Sequence, residues 1–195
     1  MGEKNNKREL ILSAARDIFF EKGYHNATSE EIAKQAGVAK GTLYQYFGSK
    51  QEIFFEMHRQ CLQSYSDEIR ACIDFEHSFA ENMRQILQFH LEHIQPLMQY
   101  AVRIIPELLT VDDKQQSMDI MHTAKTQMTA MLEKLIEIGQ QRGELRNVDK
   151  QLAIYSITGA FLGLGHVVAH GNFSETEKLQ MTNELLQNIL HGIAQ

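Results

Sequence analysis

Lys40, Thr42, Tyr44, Gln45, Tyr46 and Lys50 bring two ammonium groups, three hydroxyls and one carboxamide into the stretch KGTLYQYFGSK, residues 40–50. Such groups are hydrogen-bonding tools for phosphate oxygens and base edges, and a glutamine can pair with the N6 and N7 of adenine. Gly41 lets the backbone come close to whatever is gripped.

Other candidate chemistry is sparser. His166 and His170 are four apart, the spacing of many helical metal ligands, and His90 with His93 forms a looser pair. No carboxylate or cysteine nearby completes a site with His166 and His170, and no metal is expected. Cys61 and Cys72 fall in one long helix, roughly 16 Å apart at about 1.5 Å rise per residue. They cannot bridge there, which points to a reducing, cytoplasmic setting. With no Ser-His-Asp order, P-loop or paired carboxylates, the sequence speaks against an enzyme, and no cofactor is expected. An all-helical metal protein or enzyme built on the His pairs stays as an alternative, but it leaves Gly41, Thr42, Tyr44 and Tyr46 without a purpose.

The elements that must position these residues are all helical. Only two prolines occur in 195 residues, and no strand-like alternation is visible. Helices are predicted at about Lys7 to Lys22, Ser29 to Ala36, Lys40 to Phe47, Lys50 to Asp74, Phe79 to Ile94, Pro96 to Leu109, Lys114 to Arg142, Lys150 to His170 and Glu175 to Ile193. Gly23 stops the first, Thr28 with Glu31 forms a capping box for the second, and Ser49 caps the fourth. Gln151 to Ser174 contains no charged residue, but its hydroxyls, histidines and glycines argue for a buried or self-associating helix rather than a membrane span. The polar start, MGEKNNKREL, lacks the apolar stretch of a secretory signal.

Net charge is −6, unevenly divided: residues 1–51 carry eight Lys or Arg against six Asp or Glu, and the remainder eleven against nineteen. A basic function belongs to the front end. There, two short helices joined by a tight glycine-containing turn form a helix-turn-helix, whose second member can enter the DNA major groove. Leu43 and Phe47, four apart, face inward with Ile32 and Val38, which leaves Lys40, Gly41, Thr42, Tyr44, Gln45 and Tyr46 outside.

The stretch ILSAARDIFFEKGYHNATSEEIAKQAGVAKGTLYQYFGSKQEIF resembles the DNA-binding head of tetracycline-repressor-like (TetR family) regulators. The match runs from about Arg8 to Phe54 and departs at Ala39, where the family often has a serine cap. The resemblance implies that Lys40, Gly41, Thr42, Gln45 and Tyr46 face the groove while Thr28, Ser29, Tyr44 and Lys50 hold phosphates. It also implies an all-α fold of about nine helices: a DNA-binding domain over residues 1–50 and a ligand-binding and dimerisation body over 51–195.

One recognition helix neutralises few phosphates, so a homodimer reading a pseudo-palindromic operator in double-stranded DNA is expected. Ser156, Gly159, Ala160, Gly163 and Val167 form a small-residue stripe, and Leu179, Thr182, Leu186, Ile189 and Ile193 another, on which copies could pair; an internal core face is the alternative. The middle helices are rich in large flexible apolar residues, Met83, Ile86, Phe89, Met98, Ile104, Met118, Met121, Met128 and Met131, suited to a core or to an adaptable cavity. A cavity like the family's would lie among Tyr65, Phe89, Arg103, Met121, His122, Tyr155 and His166 and take a small hydrophobic or amphipathic effector. Arg103 could hold an anionic ligand group or pair with Glu107. A repressor released by its effector is the resulting expectation, with a DNA-binding dimer lacking an effector as its rival.

Overall fold

The computed structural model describes residues 2–93 and 104–193, with side chains from Asn6 to Gly192. Nine helices and no strand occur among them: α1 Gly2–Asn26, α2 Ser29–Gln35, α3 Lys40–Tyr46, α4 Lys50–Ala71, α5 Phe79–Glu92, α6 Ile105–Leu108, α7 Lys114–Gln141, α8 Lys150–His170 and α9 Glu175–Ile193. Met98, Arg103 and the first part of the helix expected from Pro96 lie outside the described residues.

Contacts divide the chain into two compact units. The first holds the described residues up to Ser64 together with Ile104–Thr123, and the second holds Tyr65–His93 with Ala124–Ile193. The division falls inside α4 and α7, so the head extends along α4 beyond residue 50 and includes α6.

In the first unit the predicted inward face of α1 is buried: Ile11, Ala14, Ala15, Ile18 and Phe19 pack with Ile32, Leu43, Phe47 and Phe54 in one cluster. Gly23 interrupts α1 with φ of 80°, and one further turn follows to Asn26. Ile104, Leu108 and Val111 join the same core, which fastens α6 to the head.

In the second unit, Phe79, Met83, Leu87, Leu135, Ile136, Ile154, Ile157, Phe161 and Leu186 form the core. Helix α4 ends at Ala71 rather than Asp74 because the Asn82 carboxamide takes both backbone groups of Asp74: Nδ2 donates to its carbonyl at 2.9 Å, and its N–H donates to Oδ1 at 2.9 Å. Of the methionines expected inside, Met83 is core and Met128 and Met131 pack partly buried against it. Met118 and Met121 are instead exposed on α7, in the first unit.

Helix α8 is long and apolar enough to cross a bilayer by length and composition. Its buried side, Ala153, Ile154, Ile157, Phe161, Gly165 and Val168, is the unit's own core. The other side displays Leu152 at 67 %, Tyr155 and Leu162 at 57 % and Val167 at 47 % exposure. Ser156, Gly159 and Gly163 lie exposed between them, with Ala160 half-buried. The apolar spacing of the stripe expected on α9 also serves this core. Leu186 and Thr182 are buried within the chain, Ile189 is half-buried, and Leu179 remains open.

Candidate nucleic-acid interface

The geometry of α2 and α3 follows from local rules. Thr28 closes a capping box: its Oγ1 accepts from the Glu31 N–H at 3.3 Å, and the Glu31 carboxylate accepts from the Thr28 N–H at 3.0 Å. After Gln35, Gly37 adopts φ of 68°, and the Val38 N–H reaches the Ala33 carbonyl at 2.9 Å, a Schellman-type stop that turns the chain toward α3. Ala39 gives α3 no side-chain cap, as its methyl group requires.

Leu43 and Phe47 are buried, so α3 turns its other side outward. Lys40, Gly41, Tyr44 and Gln45 are exposed, whereas Thr42 and Tyr46 are half-buried. Tyr46 packs part of its ring on the core beneath. The outer edge is thus made of hydroxyl, amide and ammonium groups on a rigid apolar footing.

Several of these groups are already engaged. The Lys40 ammonium binds the Glu30 carboxylate and lies 6.0 Å from the Tyr44 ring centroid. The Tyr44 hydroxyl donates to Ser29 Oγ at 3.1 Å, and Ser29 itself is buried. Thr28 Oγ1 donates to Glu31 at 2.9 Å within its cap. Glu31 also holds Lys22 at 2.5 Å, and that contact, followed by the Thr28 bonds, pushes its carboxyl down to about 2.

Lys50, expected to hold a phosphate, makes contacts within the chain. Its Nζ donates to the carbonyls of Tyr24 at 2.7 Å and Ala27 at 2.8 Å, and it stands 4.4 Å from the Tyr24 ring centroid. Burial lowers its pKa, with Glu107 opposing. It ties the end of α1 to the start of α4.

Glu107, expected opposite Arg103, accepts the Tyr24 N–H, and Thr110 meets His25 Nε2 at 3.1 Å. Sequence reading missed Glu30 and this use of Glu107, since each partner lies at a distant position in the chain. Only the capping positions beside Glu30 carried a signal.

The residues expected around an effector are distributed. Tyr65 and Phe89 come together in the second unit, ring centroids 5.7 Å apart. The Tyr65 hydroxyl meets Nδ1 of the buried His90 at 2.7 Å. Burial raises the phenol pKa and lowers that of the imidazole, so a neutral pair with the phenol as donor is favoured. Tyr155 is exposed, with the Lys125 ammonium 6.0 Å from its ring centroid. His166 is exposed and lies against His170, ring centroids 4.3 Å apart. Met121 and His122 are exposed in the first unit, and Arg103 lies outside the described residues. No group of three or more metal-ligating side chains occurs among the described residues.

Comparison with known proteins bears on both units. Residues 11–57 match the family described as Bacterial regulatory proteins, tetR family, and residues 50–191 match the Tetracyclin repressor-like, C-terminal domain. The chain is 28 % identical over 151 residues to the HTH-type transcriptional regulator HbdR of Aromatoleum sp. (strain CIB), covering 77 % of this chain and 65 % of that protein. It is 25 % identical over 197 residues to the fatty acid metabolism regulator protein of Bacillus subtilis (strain 168), covering 99 % and 98 %. Its fold is shared with the transcriptional regulator FadR from Bacillus subtilis in complex with stearoyl-CoA, at TM-score 0.69 and 22 % identity over 95 % of this chain and 98 % of that one.

Proposed function

The chain belongs to the TetR family of bacterial regulatory proteins and is a DNA-binding transcriptional regulator; on that premise we propose that it is a dimeric repressor released from a pseudo-palindromic operator by an amphipathic effector. The observation that carries the DNA half of this reading is the outward edge of α3, polar and exposed above buried Leu43 and Phe47. Gln45 and Thr42 are the base-reading candidates, and Tyr44 and Tyr46 supply hydroxyls for the backbone. Lys50 acts indirectly, by fixing α1 against α4.

Two copies pair through the open face of α8 with Leu179 of α9, and they present the two α3 edges to half-sites about 34–36 Å apart or a multiple of that. The work is cytoplasmic, where the DNA is. The effector we infer is a long-chain acyl thioester or a molecule of similar amphipathic chemistry. Support comes from the stearoyl-CoA in a regulator of the same fold and from the apolar ring pair Tyr65–Phe89. Tyr65 lies on α4, the same helix whose first residue, Lys50, holds the carbonyls of Tyr24 and Ala27. An effector touching Tyr65 can therefore shift the element that seats the head. Release requires the effector to favour the non-binding state, with a typical coupling of about 1–3 kcal/mol.

Selection of duplexes from a random library, followed by gel shift with and without long-chain acyl-CoA, tests the reading. Gln45→Ala and Tyr46→Ala should each lose most binding to the selected duplex, and acyl-CoA should release the wild-type protein. Intact binding in both variants would refute the interface. A complex indifferent to acyl-CoA would refute the effector alone.

A further inference from the structure

The polar contacts of α2 and α3 close a ring on the edge just described. Glu30 holds Lys40, the Lys40 ammonium lies 6.0 Å from the Tyr44 ring centroid, and Tyr44 donates to Ser29, the residue before Glu30. The capping box of α2 is formed by Thr28 and Glu31. The Glu30 carboxylate accepts its own backbone N–H and also crosses to Lys40, the first residue of α3. Lys40 and Glu30 remain exposed, with side chains 52 % and 59 % accessible, so the pair stands at the surface that would meet DNA. Its neighbour is treated alike: Glu31 neutralises Lys22. A head whose excess of positive charge is only two, by eight against six over residues 1–51, thus holds two of its lysines in internal pairs.

A free ammonium attracts any phosphate backbone, releasing counterions whatever the base sequence, whereas one already neutralised contributes little to that attraction. It keeps other N–H donors and a fixed direction. We propose that Glu30 is a specificity-determining residue, which holds Lys40 as an aimed, charge-neutralised donor for a base edge and denies it to the backbone of non-cognate DNA. The pair persists on the cognate site, with the carboxylate as the brace. The proposal rests on the reading that the α3 edge faces DNA.

The test measures fluorescence anisotropy with a labelled random-sequence duplex and a duplex selected by the wild-type protein, each over a potassium chloride series. In Glu30→Gln, Lys40 becomes free to seek phosphates. Random-sequence affinity should rise about 3- to 10-fold at low salt, and the log–log salt slope should steepen by about one. The ratio of selected to random affinity should fall. In a Lys40→Met background, Glu30→Gln should change neither slope nor ratio, an outcome that a purely structural role for Glu30 would not produce. Unchanged slope and ratio in Glu30→Gln, or equal gains in the Lys40→Met background, would overturn the proposal. Gln45→Ala and Tyr46→Ala, measured on the selected duplex, report separately on the interface itself, so a failure of Glu30 and a failure of the α3 edge give different results.

Discussion

The Glu107 carboxylate accepts the backbone N–H of Tyr24 at the point where α1 is broken. Gly23, at φ of 80°, makes this possible, since a Cβ there would overlap the Glu107 carboxylate and would also be strained at that dihedral. Gly23→Ala is therefore expected to destabilise the protein by about 1–3 kcal/mol. Glu107→Ala removes a charged acceptor and should cost a similar amount, about 1–3 kcal/mol. Urea unfolding followed by circular dichroism checks both, and the two losses should fall short of additive because they act on one contact.

Lys50 gives a second expectation. Since its ammonium is committed to the Tyr24 and Ala27 carbonyls, Lys50→Met should weaken DNA binding and lower the melting temperature together. Gln45→Ala should weaken binding with the melting temperature unchanged. Thermal melts run beside gel shifts separate the two behaviours, and a Lys50→Met protein that melts like wild type would contradict the seating role.

His58 sets a pH dependence. It is buried in the first unit's core beside Phe54, with ring centroids 4.4 Å apart, and burial lowers its pKa to about 3. The unfolded chain takes up a proton below about pH 6.5 that the folded chain refuses until far lower, so the contribution of His58 to stability declines as pH falls through that window. Between pH 7 and about pH 5 the loss should be on the order of 2 kcal/mol. Unfolding free energies measured across this range should show a shallower slope in His58→Gln, whatever the absolute stability of that variant.

The open face of α8 predicts an oligomeric effect. A Cβ at Gly159 or Gly163 meets nothing within 4 Å in the subunit, so Gly163→Arg should leave the monomer fold intact. In a dimer formed on this face the same change buries a charge against Leu162 and Val167. Sedimentation velocity should show the wild-type dimer weakened about 100-fold or more, on the basis of several kcal/mol for an unpaired buried charge. Unaltered association would place the interface elsewhere.

Much of this was legible before the fold. The Thr28–Glu31 capping box, the stop at Gly23, the inward pair Leu43 and Phe47 and the limits of α8 and α9 all depend on groups within about four residues of one another, and helix geometry relates such groups without outside help. One pattern can serve two surfaces: on α9 the apolar spacing that includes Leu186 suits a partner as well as a core, and only packing shows that Leu186 lies in the core. On α8, three- and four-residue steps from Ser156 and Gly159 reach Leu152 and Leu162, which are exposed as well.

The sequence by itself determined the helical class, the helix-turn-helix and the polar edge of α3, because turns, caps and the 3.6-residue period are written in neighbouring residues. The tertiary structure alone decided that Lys50 meets the Tyr24 carbonyl, that Glu30 holds Lys40 and that Glu107 meets Tyr24. Those partners stand 26, 10 and 83 positions apart. Charge and hydrogen bonding act over a few ångströms, and only the packed core brings such distant residues within that reach.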